Sequence, residues 1–304
     1  MPNLISHYYF AKTVKEDLPK KALEIVERHP DCYYLGAIGP DFLFAFRELG
    51  LKERLYPNTM QYLKIYEVFE KCRERMVKSY EEREMSYLLG LLCHYCSDFC
   101  LHPYVNYYVE NTLAKFLPLN QIPSIHALIE SAIDSHLCEE KMNVPAHAFK
   151  AHKTLKSKRS SRLRIGKLYY ETINPIFGFE PKPRKLAMAF TITKLFMAVS
   201  VDKFKIKKAV FGKIEDILGA PKRLTGLIRP PEGYKEIDYM NFRKQPWLKV
   251  RNGDEYTTEN VYQALERAHR HAIEYITDFM QKISSDKPLD KEKFLINYEG
   301  VNIG

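Results

Sequence analysis

The chain has 304 residues and a mass of 35.7 kDa, which suits one large domain or two smaller ones. Hydrophobic residues at 45% and charged residues at 28% supply enough apolar surface for a core and exclude a disordered, collagen-like or disulfide-stapled chain. The net charge of +9 is unevenly placed: residues 1–146 carry 16 Lys and Arg against 20 Asp and Glu, residues 147–251 carry 25 against 8, and residues 252–304 carry 6 against 10.

These shifts predict a helical core over 1–146, a basic, partly loop-rich extension or insertion over 147–251, and a C-terminal helix and tail over 252–304 that return to the core. The basic block, with a net charge of +17, suits an anionic surface such as nucleic acid or phospholipid headgroups, or else forms a solvated face. No stretch reaches the roughly 20 apolar residues of a membrane span. The opening MPNLISHYYFAKTVKEDL lacks the basic-then-apolar order of a secretory signal. Six cysteines in such a chain read as reduced thiols, and a cytoplasmic location is expected.

In chain order, His7 sits in SHYYFA, which can open a first helix. Apolar residues then recur at helical spacing over 18–29, 62–77, 84–101, 124–139, 186–201 and 258–283, and strand-like alternation is nearly absent, so the fold class is all-α. Asp41 lies in YLGAIGPDFLF, where Gly36, Gly39 and Pro40 impose a turn that places a carboxylate at a loop or helix start. By themselves His7 and Asp41 also read as a surface residue and a cap. Prolines such as Pro57, Pro103 and Pro123 fall between the runs, where helices are expected to stop. The polar, basic stretch 152–166 reads as a loop or frayed helix, and 219–256 as turn-rich chain.

Chemistry concentrates in two of these runs. In SYLLGLLCHYCSDFCLHPYV, His94, Asp98 and His102 stand at i, i+4 and i+8, within about 80° on a helix. Imidazole and carboxylate stacked in this way can converge on one ion such as Zn²⁺; a hydrogen-bonded His–Asp pair in a core is the other reading. In QIPSIHALIESAIDSHLCE, Ser124 is the expected N-cap, His126 and Glu130 repeat the i, i+4 pairing, and Asp134 continues the stripe as a ligand or as an acceptor holding His126 in its ligating tautomer. Two helices with the same pairing point to a multinuclear site between facing helices. Cys93, Cys96 and Cys100 read as small buried apolar groups.

Four segments in this order, MPNLISHYYFAK, YLGAIGPDFLF, YLLGLLCHYCSDFCLHPYV and HALIESAIDSHL, resemble the zinc-dependent phospholipase C family. The resemblance covers most of 1–140 and returns at 241–280. It implies a multi-helix bundle of the phospholipase C and single-strand nuclease type with a less regular basic C-terminal part. It further implies a Zn²⁺ cofactor of two or three ions. Asp41, His94 and Asp98 would hold one ion, with Asp98 reaching a second. His102, His126 and Glu130 would hold another, and His7 a third, completed in secreted relatives by the N-terminal amine. Gln61 stands where the family pattern leads one to expect a histidine, and an amide is a poor zinc ligand. The implied activity is phosphodiester hydrolysis of a phospholipid by a metal-activated water that Asp41 orients or deprotonates, with contact to anionic membrane through 147–251. The alternatives are a phosphodiesterase acting on nucleotides or nucleic acid, and a non-catalytic member with a degenerate metal site. Oligomeric state is not legible.

Overall fold

The computed structural model describes residues 4–304 except 50, 52, 54, 114–121, 200, 203–205, 218–227, 229 and 232, and gives only the backbone of 47, 48, 112, 113, 122–124, 199, 208 and 216. Its first half runs through α1 (Leu4–Glu16), α2 (Lys20–Arg28), α3 (Pro30–Ala37), a tight 3-10 turn (Gly39–Leu43), α4 (Phe44–Glu48), α5 (Tyr56–Tyr62), α6 (Ile65–Lys78), α7 (Glu82–Tyr108) and α8 (Ile122–His136). The second half adds α9 (Arg159–Leu168), α10 (Asn174–Phe177), α11 (Pro183–Val199), α12 (Ile206–Ile217) and α13 (Val261–Ser285). Among the described residues the only strands are β1 (Trp247–Leu248) and β2 (Tyr256–Thr257), an antiparallel pair. The fold is all-α.

The bundle is built around α7, whose residues from Glu84 to Val105 are all buried. Its apolar residues face every direction, as expected of a helix enclosed on all sides. α3 packs along one flank and α13 along another, with α1, α2, α8 and α9 closing the rest. α13 shows the opposite pattern. Val261, Leu265, Ala268, Ala272, Tyr275, Ile276 and Phe279 are buried along one stripe. Its start is fixed by a reciprocal cap, Asn260 Oδ1 accepting the Gln263 N–H (2.9 Å) and Gln263 Oε1 accepting the Asn260 N–H (3.1 Å).

Two local expectations need correction, and one open reading is decided. α7 does not stop before Pro103 but runs through it to Tyr108; packing on its flanks outweighs the roughly 3 kcal/mol that an internal proline costs. α9 occupies part of the stretch read as a loop or frayed helix, and the helix is what forms. Ser161, Ile165 and Leu168 form a thin buried stripe at i, i+4 and i+7 among its basic residues, and Asp31 of α3 accepts the Lys158 N–H at the helix start (3.1 Å). α8 begins at Ile122, so Ser124 lies inside its first turn instead of capping it. No helix of the described residues is long and apolar enough to cross a membrane.

Candidate metal centre

The stripe on α7 is real and turned inward: His94, Asp98 and His102 are buried, at 1%, 2% and 7% exposure. α1 brings His7, the 3-10 turn brings Asp41, and α8 brings His126 and Glu130 to the same place. One donor atom each from His7, Asp41 and His94 lies within 4.8 Å of the others, and the same holds for His102, His126 and Glu130. Asp98 stands between the two groups. Its Oδ1 is 3.2 Å from His7 Nε2 and 4.0 Å from His102 Nε2, and its Oδ2 is 3.0 Å from His94 Nε2. In the second group Glu130 Oε1 lies 2.9 Å from His126 Nε2 and 3.4 Å from His102 Nε2. The seven candidate ligands therefore lie in one cluster. His7 stands with Asp41 and His94, not apart from them, and Met1 and Pro2, whose amine the resemblance implicates, lie outside the described residues.

The tautomers follow from the partners. His94 Nδ1 donates to the Ala37 carbonyl (3.1 Å) and His102 Nδ1 to the Tyr298 carbonyl (2.6 Å), acceptors that cannot donate in return. Ser97 Oγ gives its proton to the His94 carbonyl (2.9 Å), so it accepts from His7 Nδ1 (2.9 Å). All three rings carry a proton on Nδ1 and turn Nε2 toward the carboxylates, the orientation in which imidazole ligates a metal. His94 Nε2 and Asp98 Oδ2 are both buried without a hydrogen-bond partner, although only 3.0 Å apart. A buried nitrogen and a buried carboxylate oxygen that close together yet misaligned are costly unless a third body engages both. The donor set of nitrogen and oxygen atoms fits Zn²⁺.

The charges of the cluster depend on one another. Burial would lower His94 and His102, but Asp98 and Asp41 raise His94, and Asp98 and Glu299 raise His102 well above its ordinary value. This favours protonated rings, with whose Nε2 proton a cation would compete. Burial, aided by the neighbouring His94, pushes His7 down to about 3, so it is neutral. Burial alone would raise Asp98, but the His94, His102 and His7 rings reverse this and hold its carboxyl at about 2. Glu130 is likewise depressed, burial being overcome by His126 and His102. Burial raises Asp41, with His94 opposing it. The centre thus keeps two buried carboxylates ionised and one basic carboxyl nearer the rim, where Asp41 is 14% exposed.

Several supports were invisible in the sequence. Gly39 has φ +51°, and a Cβ there would sit 2.1 Å from His94 Cδ2, so the absence of a side chain makes room for the ring. Gln61, buried at 5% exposure, does reach the centre, where its Nε2 donates to Asp41 Oδ1 (2.9 Å). The C-terminal strap supplies Tyr298, whose carbonyl holds His102 and whose N–H donates to the Gln61 carbonyl (3.1 Å). The strap is shaped by Asn297 Oδ1, which accepts the Glu299 and Val301 N–H groups (both 3.0 Å). It is seated by Gly300, where a Cβ would fall 2.2 Å from Pro103 Cγ. Asp134 plays a different part from the one expected of it. It accepts the Ser6 N–H (2.8 Å) and hydroxyl (2.5 Å) and ties α8 to the first turn of α1. The six cysteines are free and buried, and burial pushes Cys93 up to about 12, which makes it a packing group.

The fold and the site define an all-helical protein with two adjoining groups of nitrogen and oxygen donors that could each hold a metal ion. The sequence profile described as zinc dependent phospholipase C matches residues 6–175, more than half of the chain and all seven donors. The protein belongs to the zinc-dependent phospholipase C family. No curated protein and no solved structure matches the chain.

Proposed function

We propose that the protein is a zinc-dependent phosphodiester hydrolase that cleaves a phospholipid on the glycerol side of its phosphate. Carrying this reading is the set of three imidazoles whose Nδ1–H groups are each held by an acceptor while their Nε2 atoms converge on shared carboxylates. His7, Asp41, His94 and Asp98 would hold one ion and His102, His126 and Glu130 a second that Asp98 also reaches. Zn²⁺ bound there supplies positive charge to the phosphoryl oxygens and lowers the pKa of a bound water toward 7.

The chain's own residues do the rest. Asp41, the most exposed of the three carboxylates and made more basic by burial, takes the proton of the attacking water while Gln61 Nε2 donates to its Oδ1. Water oxygen joins phosphorus, the bond from phosphorus to the glycerol oxygen breaks, and the proton Asp41 took is returned to that oxygen, so that a diacylglycerol-like alcohol and a phosphorylated headgroup are the products. No serine or cysteine nucleophile is needed. Ser97, Ala37 and Tyr298 keep the rings from turning as charge develops.

Metal analysis of the purified chain tests this first. Two or three zinc equivalents support the enzyme, whereas none or one supports a non-catalytic member, the reading that Gln61 in place of a histidine favours. Hydrolysis of phosphatidylcholine compared with single-stranded oligonucleotides then separates a phospholipase from a nuclease. His126→Ala is expected to abolish hydrolysis and release one zinc; unchanged turnover would refute its assignment.

A further inference from the structure

α12 is turned inside out. A helix at the surface of a globular fold normally buries its apolar stripe and exposes its charges. Here Ile206, Val210, Ile214 and Ile217 are exposed at 62%, 47%, 44% and 84%, whereas Glu215 is buried at 5%. The four apolar residues stand at i, i+4, i+8 and i+11, within about 80° of one another, with Glu215 on the far side and Lys207 and Lys213 bordering the stripe. Both lysines are exposed. The neighbouring α11 exposes Leu195 at 64% and Met188 at 47%. Scattered exposed apolar residues need no explanation, but a continuous aliphatic stripe edged with lysine does.

We infer that α12 is an interfacial helix that seats the protein on an anionic phospholipid bilayer, its Ile and Val side chains entering the acyl boundary and its lysines lying at headgroup level. Charge complementarity selects this occupant. The stripe lies inside the block 147–251, with 25 basic against 8 acidic residues, and juxtamembrane basic residues are drawn to anionic lipid. Aliphatic Ile and Val give no stacking surface for bases, which a single-stranded nucleic acid would require. Docking of this kind rests on the phospholipase reading for its purpose, since it would hold the enzyme at the surface where its substrate lies. It does not rest on that reading for its evidence.

The test uses the full metal-loaded chain and two readouts. Sedimentation with phosphatidylserine–phosphatidylcholine vesicles is expected to carry down the parent protein, less so at high salt, while pure phosphatidylcholine vesicles retain at least tenfold less. Val210→Asp with Ile214→Asp is expected to lower binding to the anionic vesicles at least tenfold without changing hydrolysis of a short-chain phospholipid below its micellar concentration. Both positions are exposed, so the double variant is expected to fold, and a matching far-ultraviolet spectrum checks this. Vesicle binding that the double variant retains, or that is equal on neutral and anionic lipid, overturns the docking helix, as does preferential capture of a single-stranded oligonucleotide by parent and variant alike. Failure to hydrolyse the soluble substrate overturns the phospholipase reading and leaves the vesicle result standing.

Discussion

Replacing Gly39 by Ala probes the centre with a single methyl group. A Cβ at this position would lie 2.1 Å from His94 Cδ2, 2.4 Å from its Cγ and 2.5 Å from its Nε2. Carbon atoms in contact sit about 3.5–4.0 Å apart, so the ring must retreat by roughly 1.4 Å. A metal site tolerates displacements of about 0.2 Å in its ligand distances, and loss of a group that merely orients a ligand already costs about 10–100-fold in metal affinity. The first donor group is therefore expected to lose zinc affinity by at least about 100-fold, while the His102, His126 and Glu130 group keeps its ion. Backbone strain must be separated from this, because φ at Gly39 is +51° and a left-handed L-residue costs about 1–2 kcal/mol. Gly178→Ala provides the control: φ is +69° and nothing lies within 4 Å of the added Cβ, so it carries the strain without the collision. Zinc content and chelator competition, with Tm recorded alongside, should show both variants less stable and only Gly39→Ala depleted of zinc. Zinc bound by Gly39→Ala with parental stoichiometry and affinity would refute the placement of His94 beside the turn.

Gly300→Val drives a side chain into the Pro103 ring and should lift the strap, freeing His102 from the Tyr298 carbonyl; loss of zinc from the second group is expected, and a full zinc complement would show that the strap is dispensable. Gln61→His offers an imidazole beside Asp41 and is expected to slow zinc removal by chelator tenfold or more, with no change in rate counting against Gln61 as a weak point of the first group. Asp31 has its carboxyl held below the usual range: burial raises it, but the Ser161 hydroxyl and the Lys158 N–H outweigh burial. A depressed carboxyl stabilises the fold above its unfolded pKa of about 3.9 and stops doing so as pH falls through its lower folded value. Asp31→Ala should cost about 1 kcal/mol at pH 7, a typical cap loss, and thermal melts of the two proteins should converge below about pH 4; a constant gap down to pH 2 would contradict the capping role.

Five of the candidate donors were legible because helical spacing is local; His7 and Asp41 by themselves also read as a surface residue and a cap, and it was the family resemblance that marked them. An i, i+4, i+8 stripe on α7 and an i, i+4 pair on α8 bring nitrogen and oxygen to one face whatever surrounds them, and a turn rich in Gly and Pro announces a carboxylate at its end. The all-α class follows from the same periodicity. Continuous apolar sequence, however, hides direction. α7 is apolar all round, so nothing in it told that Pro103 would be held inside the helix. α9 was obscured for the converse reason, its few buried positions being interleaved with Arg and Lys.

What only the tertiary structure decided is how the donors are grouped and held. Asp98 joins the two groups because α1 and α8 cross α7 at the heights of His94 and His102, a matter of packing. The acceptors that fix the imidazoles at His94 and His102 are main-chain carbonyls of Ala37 and Tyr298, and a carbonyl is present at every residue, so sequence alone cannot mark the ones that matter. The same holds for the outward stripe of α12: its periodicity is written in the chain, but which side faces solvent depends on what the rest of the fold leaves uncovered.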